Sequence, residues 1–197
     1  MQPFPLLKLE KSNVFLSNPL ACGLFFCLIV FGGVMGRAIF ALVYEEAFAQ
    51  LLASLAQMIQ PRAGRLLLYA LPASLAYCTT IYVCGFSPIL LPIWALAVLL
   101  EGAALGLQLG AGGALMATGH VAVAWVVVFI PMLLIIPMGA YLAVLAFARA
   151  VQTKAAPSPA ERLNSLAQAA VASAVYTVCA TLMSTFGCLY CFRVLFN

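Results

Sequence analysis

Long apolar runs alternate with short polar clusters along the chain, and the runs are too long for strands. Those at about 20–44, 66–84, 89–110, 121–149 and 168–192 each come close to or exceed the ~20 apolar residues that carry a helix across hydrocarbon. Between the first two, Phe48, Leu51, Leu52, Leu55 and Ile59 fall on one helical face, with Glu46, Gln50, Ser54 and Gln57 mostly elsewhere. That spacing predicts a short amphipathic helix over residues 45–60, lying at the interface or against a bundle. The pattern as a whole predicts an all-α, polytopic membrane helix bundle with about five transmembrane helices and a short outer amphipathic helix, forming one domain over residues 1–197.

Helix-breaking residues fall where the pattern needs them. Asn18 and Pro19 make an N-cap and first-turn pair for helix one, and Pro61 and Gly64 interrupt the chain before helix two. The run Gly85-Phe-Ser-Pro88 predicts a tight turn, and the glycines at 112, 113 and 119 predict a separation between helices three and four. Pro131 and Pro137 lie inside helix four, where each removes a hydrogen bond and is expected to bend it. Ser158, Pro159 and Glu161 fit a capping box, so helix five is expected to begin before its membrane entry near Gln168.

Composition moves the reading from helical to membrane-embedded. Hydrophobic residues make up 66% of the 197 and charged residues 7%, against roughly a quarter charged in ordinary soluble domains. The mean hydropathy is +1.14. The lipid bilayer is therefore the expected solvent and first partner, and residues 20–44 read as an uncleaved anchor, being much longer than a signal-peptide core of about 7–15 residues. The net charge of +4 comes with no basic and aromatic stripe, which favours anionic lipid over nucleic acid. Of the seven cysteines, Cys22, Cys27, Cys78 and Cys179 lie within predicted spans and read as small apolar residues. Lys8, Lys11, Arg149, Lys154 and Arg162 on one side, against Arg37, Arg62, Arg65 and Arg193 on the other, favour a cytoplasmic N-terminus and an outer C-terminus in the cell membrane.

Candidate chemistry centres on Glu101. An acidic side chain near the middle of a span costs about 2.5–3.5 kcal/mol on insertion scales, offset by ten Leu, Ile or Val residues between Leu90 and Leu109 at roughly −0.3 to −0.6 kcal/mol each. Glu101, Leu105 and Gln108 share a stripe that is expected to face the bundle interior. Arg37 lies about 26 Å along helix one and Glu101 about 20 Å along helix three, so a structural ion pair between them is the favoured expectation over a proton relay or substrate contact. Gly32 with Gly36, and Gly102 with Gly106 and Gly110, make small-residue faces for close helix packing. A neighbour in the same chain is favoured over one in a second copy. The glycine face lies roughly 100–180° around helix three from Glu101.

Elsewhere the chemistry is thin. Cys188 and Cys191 form CLYC without a second ligand pair, and the lone His120 sits beside Gly119, so no metal site is expected. No phosphate-binding loop, zinc-protease, nucleophile-elbow or dinucleotide motif occurs, and neither catalytic residues nor a cofactor are expected.

The run CGFSPILLPIWALAVLLEGAALGLQLGAGG from Cys84, followed by VVFIPMLLIIPMG, resembles the stage II sporulation protein M family. The likeness rests on a glycine before a proline-containing turn, a glycine triplet spaced by four, and a helix with two closely spaced prolines. Gly32 and Gly36 match that family's early glycine pair. The chain departs from the pattern at Glu101, at Met132 and over Cys188 to Arg193. The resemblance implies a non-enzymatic membrane scaffold that anchors cell-wall hydrolases or anchor proteins during engulfment in sporulation. The competing expectation is a small permease, or the membrane subunit of a transporter, using Glu101, Gln108 and the Pro131/Pro137 bends.

Overall fold

Every apolar run folds as helix in the computed structural model, which describes residues 18–44, 63–117, 119–151 and 159–196, some of them by backbone alone. Helix α1 spans Pro19–Ile39 and α2 spans Ala63–Cys84. After a 3₁₀ turn at Pro88–Leu90, α3 runs over Leu91–Ala117. Helix α4 covers Val121–Val151 and α5 covers Pro159–Phe196. No strand occurs among the described residues. Among the described residues three helical stretches are long and apolar enough to cross a membrane, Pro19–Val43, Pro88–Ala117 and Val121–Val151, and shorter apolar helices lie at Ser74–Cys84 and Ala167–Met183. Leu42 is 86% exposed, Ile89 84% and Leu133 69%, a surface that water would penalise and lipid accepts. The protein is a helical membrane protein.

Local chemistry sets the helix ends. Pro19 occupies the first turn of α1, and the Cys22 amide donates to the Asn18 carbonyl at 3.1 Å, but the Asn18 side chain makes no capping bond. Ser87 caps the turn into α3, its hydroxyl accepting from the Ile89 amide at 3.3 Å. At the other end of α3 the sequence reading needs correction. The helix continues to Ala117 instead of stopping near 110, with Gly112 and Gly113 inside it. Helical propensity alone disfavours glycine there, but Gly112 is buried against Val128 of α4, and that packing overrides propensity. Only Gly119 ends the helix, at φ +86°, with its amide on the Met116 carbonyl at 3.0 Å and the His120 amide on Leu115 at 2.9 Å. This paired closure needs the left-handed backbone that glycine adopts without strain.

Pro131 acts on the turn before it. Residues Trp125–Phe129 form a π turn in which the Ile130 amide reaches back to the Trp125 carbonyl, so the ladder widens just ahead of the residue that cannot donate. Pro137 sits inside the regular part of α4, and α2 carries a third internal proline, Pro72. A second π turn, Phe40–Tyr44, extends α1.

Contacts fix the relative directions. Ile29 lies beside Gly102, Gly33 beside Gly106 and Phe40 beside Gly110, so α1 and α3 run parallel. Trp94 meets Ala143, Gly112 meets Val128 and Leu115 packs with Val123, so α3 and α4 are antiparallel. Tyr176 lies over Gly139 and Gly187 over Val127, which makes α5 antiparallel to α4. The main core gathers Phe25, Ile81, Trp94, Val98, Leu142 and Val144. Small residues on α4, from Gly139 and Ala140 through Ala143 and Ala146, let neighbours approach closely. The predicted amphipathic helix at 45–60, the leader lysines Lys8 and Lys11, and Ser158 of the capping box lie outside the described residues.

Candidate functional site

Helix α3 presents two different faces to two different neighbours. On one, Gly102 and Gly106 bring its backbone against α1. A Cβ on Gly102 would stand 2.5 Å from the Ile29 carbonyl oxygen, and one on Gly106 would strike the Gly33 carbonyl and lie 2.8 Å from the Arg37 amide nitrogen. From the α1 side, Gly32 faces the Leu99 carbonyl and Gly36 that of Ala103, while Gly110 gives way to the Phe40 ring. The five glycines named from sequence thus lie along one intramolecular contact, with no room for a methyl group at any of them.

Glu101 lies on the other face. Its Oε1 accepts a hydrogen bond from the Tyr176 hydroxyl of α5 at 2.6 Å, at the short end of O–H···O bonds. Tyr176 packs against Tyr77 of α2, ring centroids 5.3 Å apart. Gly139 of α4 makes room for both, because a Cβ there would stand 3.3 Å from the Tyr176 ring and 3.7 Å from the Tyr77 hydroxyl. One residue further along α5 and α2, the Thr177 hydroxyl donates to the Cys78 sulfur at 3.3 Å, and the Cys78 thiol donates to the Ser173 carbonyl, a turn back on α5, at 3.5 Å. Four helices therefore converge on one polar cluster within an apolar bundle.

A cavity of about 290 Å³ opens beside it between α2 and α3, lined by Glu101, Tyr77, Thr80, Ile93, Leu96 and Leu100 among others. The Tyr77 hydroxyl is buried and has no hydrogen-bond partner among the described residues. Tyr77 itself is 9% exposed.

The remaining candidates disperse. Arg37 does not pair with Glu101; its guanidinium lies 5.6 Å from the centroid of the Phe40 ring, and its backbone is held against the glycine face, the side of α3 away from Glu101. Gln108 is exposed, and Leu105 is buried with Val128 and Met132 of α4, so the stripe that starts at Glu101 leaves the polar cluster within one turn. Pro131 is buried on α4, and Pro137 lines a separate apolar groove with Tyr141 and Val171. His120 is an exposed cap position without a side-chain capping bond, and Cys188 and Cys191 have side chains outside the described ones. Among the described residues no three His, Cys, Asp or Glu side chains gather as for a metal ion.

Tyr77, Tyr176 and Thr177 were not singled out from sequence, and Cys78, read there as a small apolar residue, is instead both donor and acceptor in the polar cluster. A signal exists for part of the set: Ser173, Thr177 and Thr181 recur every four residues, a polar edge that in a membrane helix seeks partners on other helices. No protein-family model, curated protein or solved structure matches this chain.

Proposed function

We propose that the chain is a non-enzymatic membrane scaffold with five spans, of the kind that the stage II sporulation protein M resemblance implies, anchoring peptidoglycan-remodelling partners in the cell membrane. The observation that carries this reading is the α1–α3 contact, in which glycines seat backbone on backbone. Such a seam resists sliding and gives a rigid frame on which a partner surface can be held. The five-span count draws support from helix direction. Parallel α1 and α3 require the chain between them to cross back, and α2 is the described helix available to do it.

Crosslinking of the tagged full chain in its native membrane tests the scaffold. Enrichment of a wall hydrolase or of its anchor is the expected result, and recovery of an ATPase or solute-binding protein instead would overturn it. The transport reading draws on a different observation, the Glu101 carboxyl beside a cavity. Solute flux in reconstituted vesicles that disappears in Glu101→Gln would place transport first.

A further inference from the structure

The cavity between α2 and α3 combines features that seldom coincide inside a membrane. Helix α3 lines it with the aliphatic Ile93, Leu96, Ala97 and Leu100 and, at their end, with Glu101, while α2 contributes Tyr77 and Thr80 from across the cavity. Its size, about 290 Å³, lies just below the range of drug-sized ligand sites, about 300 to 1,000 Å³, and so suits a small occupant. Tyr176 engages one carboxylate oxygen of Glu101, and the other has no hydrogen-bond partner among the described residues. No Lys or Arg among those residues pairs with the carboxyl, since Arg37 stacks on Phe40 and Arg149 lies 5.3 Å from the centroid of the Phe86 ring. Intramembrane acids are ordinarily matched by a counter-charge or mark a substrate path. The buried Tyr77 hydroxyl is likewise left without a partner among the described residues.

From this geometry we infer that the cavity is a binding site for a small hydrophobic organic cation, its charged nitrogen at the Glu101 carboxylate beside the Tyr77 ring and its apolar body on the α3 wall. An aromatic wall adds cation–π attraction, worth ~0.5–2 kcal/mol. The occupant is a membrane-dissolved cation rather than a lipid headgroup. Glu101 lies ten residues into α3 from Leu91, about 15 Å along the axis at 1.5 Å per residue, which is hydrocarbon depth. Occupancy of this site is independent of the scaffold reading, and transport would need it as a first step.

The test is equilibrium binding of benzyltrimethylammonium to the full chain in phosphatidylglycerol nanodiscs, set against neopentylbenzene, which has the same shape with carbon in place of the charged nitrogen. Saturable binding of the cation, at least about tenfold tighter than of the neutral probe, is expected, together with loss of that preference in Glu101→Gln, which keeps an acceptor for Tyr176. Ala76→Phe fills the cavity while leaving the carboxyl in place, and should abolish binding of both probes. Equal affinity for the two probes, or cation binding unchanged in both variants, would overturn the site. Competition by added phosphatidylcholine would overturn the dissolved-cation assignment in favour of a headgroup. Partner capture is read separately, so failure of this site leaves the scaffold standing.

Discussion

Two tyrosines a ring apart make opposite contributions at the polar cluster. The Tyr176 hydroxyl holds Glu101 at 2.6 Å, whereas that of Tyr77 is buried and unmatched among the described residues. Removing the first strands a carboxyl at membrane depth; removing the second relieves an unpaired polar group. Tyr176→Phe is therefore expected to cost ~1–2 kcal/mol, near the upper end of measured interhelical hydrogen bonds in membranes, while Tyr77→Phe is neutral or slightly stabilising. Unfolding of the ligand-free protein in mixed micelles by denaturing detergent checks both, and a loss in Tyr77→Phe as large as that in Tyr176→Phe would contradict the assignment. Glu101 was legible in the sequence because an acid inside an apolar run has few bland explanations. Its partner was not. Periodicity places Glu101 and the glycines on different faces of α3, but it does not say that α1 occupies the glycine side and takes Arg37 with it. A tyrosine inside a span also reads equally well as lipid-facing until its neighbour is known.

At the scale of the helix, glycine has two roles on α3 that a substitution series separates. Gly106 lies under the Gly33 carbonyl, where a methyl group meets backbone that cannot give way. Gly113 has nothing within 4 Å of an added Cβ. Gly106→Ala is expected to destabilise by ~2–3 kcal/mol or more, as overpacking against a fixed neighbour does. Gly113→Ala should instead stabilise by up to ~1 kcal/mol from helical propensity alone. The same micelle unfolding measurement distinguishes them, and similar effects from the two would mean that the α1–α3 seam is looser than its geometry. The contrast also explains why the end of α3 was misread. Clustered glycines signal a break when propensity decides, and a seam when packing decides, and the sequence around Gly112 and Gly113 carries no mark of which applies. Gly119 differs because its positive φ is demanded by the closing hydrogen bonds at Leu115 and Met116. Prolines divide in a similar way. Pro131 was legible as a disturbance in α4, but the π turn that absorbs it, one turn earlier, follows from ladder geometry that a residue count does not contain.

Across the whole molecule, helix direction makes the span count testable without reference to partners. With the N-terminus inside and five crossings, the turn at Ser87 lies inside, Gly119 outside, the segment around Ala155 inside and Asn197 outside. If only the three long apolar stretches crossed, α3 would start from the outer side and run against α1, contrary to the ascending contacts of Ile29, Gly33 and Phe40 with Gly102, Gly106 and Gly110. Alkaline phosphatase, active only outside the cytoplasm, can be fused after each of these four positions. Five spans with the N-terminus inside predict activity after Gly119 and Asn197 and silence after Ser87 and Ala155. Three spans predict activity after Ser87, Ala155 and Asn197, with silence after Gly119. An inverted five-span molecule gives activity after Ser87 and Ala155 alone, so Asn197 separates it from the three-span case. A fluorescent protein that folds only in the cytoplasm, placed at the same positions, should report the reverse pattern. Activity after Ser87 would overturn the inner assignment of the α2–α3 turn and of Arg149, whose guanidinium lies 5.3 Å from the centroid of the Phe86 ring and so travels with that turn.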